Sequence, residues 1–217
     1  MVNRIWHYHF GRGIVATPND FGRAGERPTH PELLDYLANE FVAGGFSVKR
    51  IHRLILNSNT YLQSSAPAGA TALKTLALTK DPENRLLWRF NRRRLEAEQI
   101  RDAILAASGA LNPKQGGPSV MVPIEQELVK LLYKPSQWQP AKDPAEHARR
   151  SVYLIAKRNL RLPFMEVFDA PDLQVSCPRR ESSTHAPQAL ELLNGAFTNG
   201  QAEALARRLE AEAGPNL

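Results

Sequence analysis

The chain has 217 residues, 42% of them apolar and 23% charged, with a net charge of +6. That balance excludes a disordered or fibrous protein and is enough for one domain with a real core. No apolar run reaches the roughly 18 residues a membrane-crossing helix needs, and the lone cysteine, Cys177, excludes an internal disulfide and a four-cysteine zinc site.

The start, MVNRIWHYHFGRG, has no apolar signal core. Val2, Ile5, Trp6, His9 and Phe10 lie on one helical face, so the chain begins inside an amphipathic helix and reads as the C-terminal fragment of a longer multidomain protein. Gly11 and Gly13 stop this helix, and residues 14–28 read as a structured loop. Thr17-Pro18-Asn19-Asp20 with Gly22, Gly25 and Glu26 has calcium-binding composition. It lacks alternating carboxylates, however, which favours a turn network held by Asx-type hydrogen bonds.

Thr29-His30-Pro31-Glu32 is a capping-box pattern. The stripe Leu33, Leu34, Leu37, Ala38, Phe41 and Val42 then predicts a helix ended by Gly44-Gly45. Ser47 caps the next helix, whose inward residues run from Val48 through Ile51, Leu54 and Ile55 to Tyr61. The two helices form an αα-hairpin. Residues 64–79 read as a variable connection, Asp81-Pro82-Glu83 as a turn, and Arg92-Arg93-Arg94 as the lead into a helix with Leu95, Ile100, Ile104 and Ala107. Along that helix Arg94, Glu98 and Arg101 are spaced to pair with one another. Gly109 ends it.

Val120-Met121-Val122 reads as a short strand, residues 125–133 as a helix and 134–143 as a proline-broken loop. The run Ser151-Val152-Tyr153-Leu154-Ile155 suits a buried strand. Pro163, Pro171 and Pro178 keep the following segment irregular, and Thr184 with Pro187 opens a helix to Asn194. A last helix spans about 201–212. The expected fold is mainly α: a single, multi-helix domain over residues 1–217 with a short β-strand pair and long irregular loops.

His7 and His9 are about 200° apart on a helix and cannot share a metal; His9 reads as a core histidine, and His30, His52, His147 and His185 have no partner at metal spacing. Cys177 has Arg179 and Arg180 nearby, which would favour its thiolate, and only His185 is close in sequence as a base. There is no nucleophile elbow, phosphate loop or dinucleotide fingerprint. The arginine clusters at 92–94, 149–150, 157–158 and 179–180 would suit a phosphate or sulfate. Interleaved acidic residues instead favour internal ties from arginines beside Trp88, Tyr153 and Phe168 to Asp169, Asp172 and backbone carbonyls. Nucleic-acid binding would rest on charge alone.

Taken together, NRIWHYHFGRG, TPNDFGRAGERPTHPELLDYLA, DPENRLLWRFNRRRLEAEQIRDAILAASGAL, GGPSV and RRSVYLIAKRNLRLPFMEVFDAPDLQVSCPRR with STHAPQALELLN resemble a family. It is the C-terminal domain of unknown function in planctomycete proteins with a cytochrome-c-type segment upstream. The resemblance implies a mostly helical, exported, extracytoplasmic domain with no established reaction. It also implies haem c only in an upstream segment that this chain lacks, so no cofactor or metal is expected here. Asn19, Asp20, Arg92, Arg94, Asp169, Cys177, Arg179 and Arg180 match the family's polar positions. The expected role is a non-catalytic module that docks against neighbouring domains or takes an anionic, polysaccharide-like ligand, with Arg92, Arg94, Asp169, Cys177, Arg179 and Arg180 as the candidate ligand set. The alternative is a hydrolase with a pocket at Asp169–Arg180.

Overall fold

A computed structural model describes residues 1–66, 71–158 and 160–214. The chain divides into two compact units, Met1–Arg93 and Arg94–Leu217. Both are built mainly from helices, as the periodicity predicts.

In the first unit, α1 (Val2–Phe10), α2 (Pro31–Ala43) and α3 (Val48–Leu56) surround one apolar cluster. Its buried members are Val2, Ile5, Trp6, Phe10, Ile14, Leu37, Ile51 and Ile55, with Phe41, Tyr61, Leu87 and Phe90 packed at its edge. Phe10 sits at the centre of an aromatic group that includes Trp6, Tyr61 and Phe90. Gly11 ends α1 in the left-handed conformation (φ 81°), where glycine carries no Cβ penalty. α1 also buries a polar residue that periodicity does not mark. The Asn3 amide donates to the Val15 carbonyl at 3.0 Å and accepts the Val15 N–H at 2.9 Å, pinning the loop after the helix. Gly13 makes this possible, because a Cβ there would lie 2.5 Å from the Val15 carbonyl oxygen.

The αα-hairpin forms, and Ser47 caps α3 by accepting the Arg50 N–H. Three local expectations change. Thr29 does not cap α2; its amide and hydroxyl both donate to the Ile14 carbonyl, tying the loop instead. α3 ends at Leu56, and Tyr61 reaches the core through a turn in which Ser58 accepts the Tyr61 N–H. Val42 points to solvent. The expected connection at 64–79 contains a further helix, α4 (Thr71–Lys80), which buries no residue; the part of that stretch at 67–70 lies outside the described residues. Asp81 then accepts the Arg85 and Leu86 N–H groups, and Asn84 ties Arg89 and Asn91, so the turn after α4 is knotted by its own Asx side chains.

The second unit is built on α5 (Ala97–Ser108), against which α10 (Ala196–Ala213) and α8 (Pro163–Val167) pack; α9 (Ala186–Asn194) packs on α8 and α10. Shorter helices α6 (Gln126–Lys130) and α7 (Pro144–His147) lie between. Gly109 caps α5 with φ 78°, its N–H donating to the Ala106 carbonyl, and Arg208 of α10 also donates to the Ala106 and Ala107 carbonyls at this helix end. Ala97, Met165 and Phe168 are the buried centre of a modest cluster, joined by Ile100, Leu154 and Phe164.

The expected β-strand pair reduces to a single bridge. Val120 meets Leu154, with the Val120 N–H on the Tyr153 carbonyl and the Ile155 N–H on the Val120 carbonyl. Ser151–Tyr153 is a 3-10 turn with Val152 in solvent rather than a buried strand. Side chains of α5 hold that backbone where a partner strand would otherwise stand: Asp102 accepts both the amide and the hydroxyl of Ser151 at 2.7 Å. The expected pairing along α5 is also replaced, since Arg94 and Glu98 reach across to other segments and Arg101 turns into the interior.

Candidate functional site

The second unit holds two buried guanidinium groups, and together they fix its irregular backbone. Arg101, 6% exposed, donates to the carbonyls of Arg149 (2.9 Å) and His147 (2.6 Å) and to Ser151 Oγ (3.2 Å). Arg149, 1% exposed, lies 4.0 Å over the Tyr153 ring and donates to the Gly116 and Lys114 carbonyls, with Glu146 at 3.2 Å. A buried charge needs acceptors of this kind; the terminal N–H groups of Arg149 find them, while its buried Nε–H has no partner among the described residues. The planar fork of arginine suits a cluster of carbonyls better than lysine would.

A second node gathers part of the candidate set. Asp169 accepts Ser183 N–H at 2.8 Å and Ser183 Oγ–H at 2.6 Å, while Arg94 approaches at 3.4 Å and stacks its guanidinium over Phe168. Gln188, buried on α9, donates to the Val167 carbonyl and to Asp169. Burial pushes the Asp169 carboxyl up, but the Ser183 hydrogen bonds and the Arg94 charge outweigh it and hold the group below its ordinary value. Asp169 itself has φ 62°, the left-handed region that short polar side chains tolerate.

Arg180 forms the third tie, donating to Glu98 at 2.6 and 3.1 Å and lying 3.1 Å from Glu96. Burial raises the Glu98 carboxyl, and the Arg180 bonds and charge more than reverse this. The other candidates do not converge on these groups. Cys177 is half-buried and its thiol donates to the Arg179 carbonyl; the Arg179 side chain is exposed, and Arg92 is exposed in the first unit. Among the described residues the expected arginine tie to Asp172 is not made; its carboxylate accepts the Gln174 N–H. His185 is the N-cap of α9, in a capping box with Gln188.

A cleft of about 500 Å³ opens beside the Arg180 clamp. Glu96, Glu98 and Asp102 of the α5 wall face Leu154, Leu162 and Met165. From the segment 169–180 it is lined by Ala170, Pro171, Leu173 and Arg180, whereas Asp169, Cys177 and Arg179 lie outside it.

Elsewhere the structure finds a pairing that spacing alone misses. His9 of α1 and His52 of α3 stand 2.7 Å apart, Nε2 to Nδ1. No group of three or more His, Cys, Asp or Glu able to hold a metal occurs among the described residues. The loop at 17–26 is a turn network: Thr17 donates to the Asp20 carbonyl, Asp20 accepts the Gly22 N–H and Thr17 accepts the Glu26 N–H.

These helical units with arginine-tied loops define a class, and comparison gives it a family. A family model described as PSD1, protein of unknown function (DUF1553), matches residues 1–215, so the chain belongs to that family. No curated protein and no solved structure matches it.

Proposed function

We propose that this chain is a non-catalytic structural and interaction module of a larger, exported planctomycete protein whose upstream part carries haem c. It docks against neighbouring domains and takes an anionic, polysaccharide-like ligand on exposed guanidinium groups. The observation that carries this reading is the division within the candidate set. Arg94, Asp169 and Arg180 are tied to partners of their own unit, whereas Arg92 and Arg179 are exposed and make no ion pair among the described residues. No helix among the described residues is long and apolar enough to cross a membrane.

The test is titration of the chain with polygalacturonate at low and high salt, alongside separate Arg92→Ala and Arg179→Ala variants, one in each unit. Salt-sensitive binding, at least tenfold weaker in a variant that melts like the parent, supports the ligand role. Absent binding, or binding indifferent to both substitutions, rejects it.

The carboxylates of the cleft favour a second reading as a hydrolase. Against it, Glu96 and Glu98 are both engaged by Arg180, and Asp102 by Ser151. Hydrolysis of an ester or glycoside that disappears in Glu98→Gln would establish that reading in place of the first.

A further inference from the structure

The His9–His52 pair is a close approach of two imidazoles in the first unit that the proposed role does not use. It joins two different helices: α1, which carries Trp6 and Phe10 into the core, and α3, which carries Ile51 and Ile55. The rings meet edge to face at 4.9 Å, and the Tyr61 ring stands edge-on to His9 at 5.7 Å. A nitrogen-to-nitrogen distance of 2.7 Å is that of an N–H···N hydrogen bond, so one ring donates and the other must accept. Two neutral imidazoles, or one neutral and one protonated, satisfy this. Two protonated rings cannot, because both facing nitrogens would then be donors.

The surroundings favour the less protonated states. The charged group near His9 is the Arg93 guanidinium, whose side chain also donates to the Tyr8 carbonyl at the end of α1, and among the described residues no carboxylate pairs with either ring. Burial first, then the His52 and Arg93 charges, hold the His9 imidazole below its ordinary 6.5.

We infer that the His9–His52 hydrogen bond is an acid-sensitive latch that fastens α1 to α3 at neutral pH and releases when both rings take up protons. The sign follows from linkage. A histidine whose folded pKa is lowered binds fewer protons folded than unfolded, so its stabilisation is complete above about 6.5 and is lost as the pH falls from there through the folded value.

The experiment is NMR titration of the histidine side chains in the full chain with EDTA present, together with amide exchange of α1 at pH 7.5 and 5.5. His9 is expected to titrate below 6.5 and to move toward it in His52→Gln. α1 protection is expected to fall at least tenfold on acidification in the parent, and by less than threefold in His9→Gln, whose amide keeps a hydrogen-bonding group without titrating. A His9 that titrates at or above 6.5, α1 protection that does not change with pH in the parent, or an acid loss that persists in full in His9→Gln, would overturn the inference. The parent titration needs no variant to fold.

Discussion

The two units solve the same problem, holding irregular chain against a few helices, by different chemistry. In Met1–Arg93 the helices close on a continuous aromatic and aliphatic cluster, and the buried loop ties are neutral amides and hydroxyls such as Asn3, Thr29 and Asn84, with charged ties such as Arg12–Glu26 and Arg85–Glu26 lying at the surface. In Arg94–Leu217 the clustered apolar centre is small, Ala97, Met165 and Phe168, with Leu105, Val120, Leu132 and Trp138 buried elsewhere in the unit, and guanidinium groups do much of the fastening: Arg101 and Arg149 inside, Arg94 and Arg180 nearer the surface. Hydrophobic burial tolerates local repacking, whereas a buried cation depends on the acceptors around it, and Arg149 already carries a buried Nε–H with no partner among the described residues. The second unit should therefore respond sharply to single polar changes and the first to loss of apolar volume.

Arg101→Ala should produce the largest effect, a loss of about 3–4 kcal/mol in urea unfolding, since it strips donors from two carbonyls and Ser151 at once. Ile51→Ala, at a fully buried position, should cost about 3 kcal/mol, read as lost amide protection in α1 and α3 with α5 unaffected. If instead both variants lower protection in both units equally, the division between them is wrong. Asp169→Asn should cost about 2 kcal/mol at neutral pH, and asparagine tolerates the same backbone, so the change isolates the charge. Because the folded carboxyl is lowered, this contribution is present above its ordinary 3.8 and lost as the pH falls through the folded value; the variant should show a flatter acid limb. Cys177→Ser should change stability by no more than about 0.5 kcal/mol, as expected for a half-buried thiol that, among the described residues, bonds a neighbouring carbonyl.

Much of the first unit was legible because its elements follow their local signals. Ser47 caps α3, Gly11 ends α1, and the leucine stripe of α2 faces inward at Leu37; in the second unit Gly109 likewise ends α5. The idea of arginines on aromatic neighbours also finds its counterparts at Arg149 over Tyr153, Arg94 over Phe168 and Arg89 over Trp88. What periodicity could not reveal is which polar residues turn inward. α9 reads as an ordinary amphipathic helix, yet Gln188 is buried for its bonds to Val167 and Asp169 while Leu190, Leu192 and Leu193 face solvent. Arg101 sits where the pattern of α5 suggests a surface ion pair, and its burial depends on carbonyls nearly fifty residues away in the chain (His147 and Arg149). The 151–155 strand failed for the same reason, because α5 side chains satisfy that backbone before a strand can.

The most direct test of arginine fastening is amide hydrogen exchange in Arg149→Met, which keeps most of the side-chain volume and removes the guanidinium. Protection at residues 116–117 and 149–155 is expected to fall by tenfold or more, with the amides of α1 and α3 unchanged. Protection at 116–117 and 149–155 equal to that of the parent would contradict the account, because those loops would then be held by something other than the buried cation.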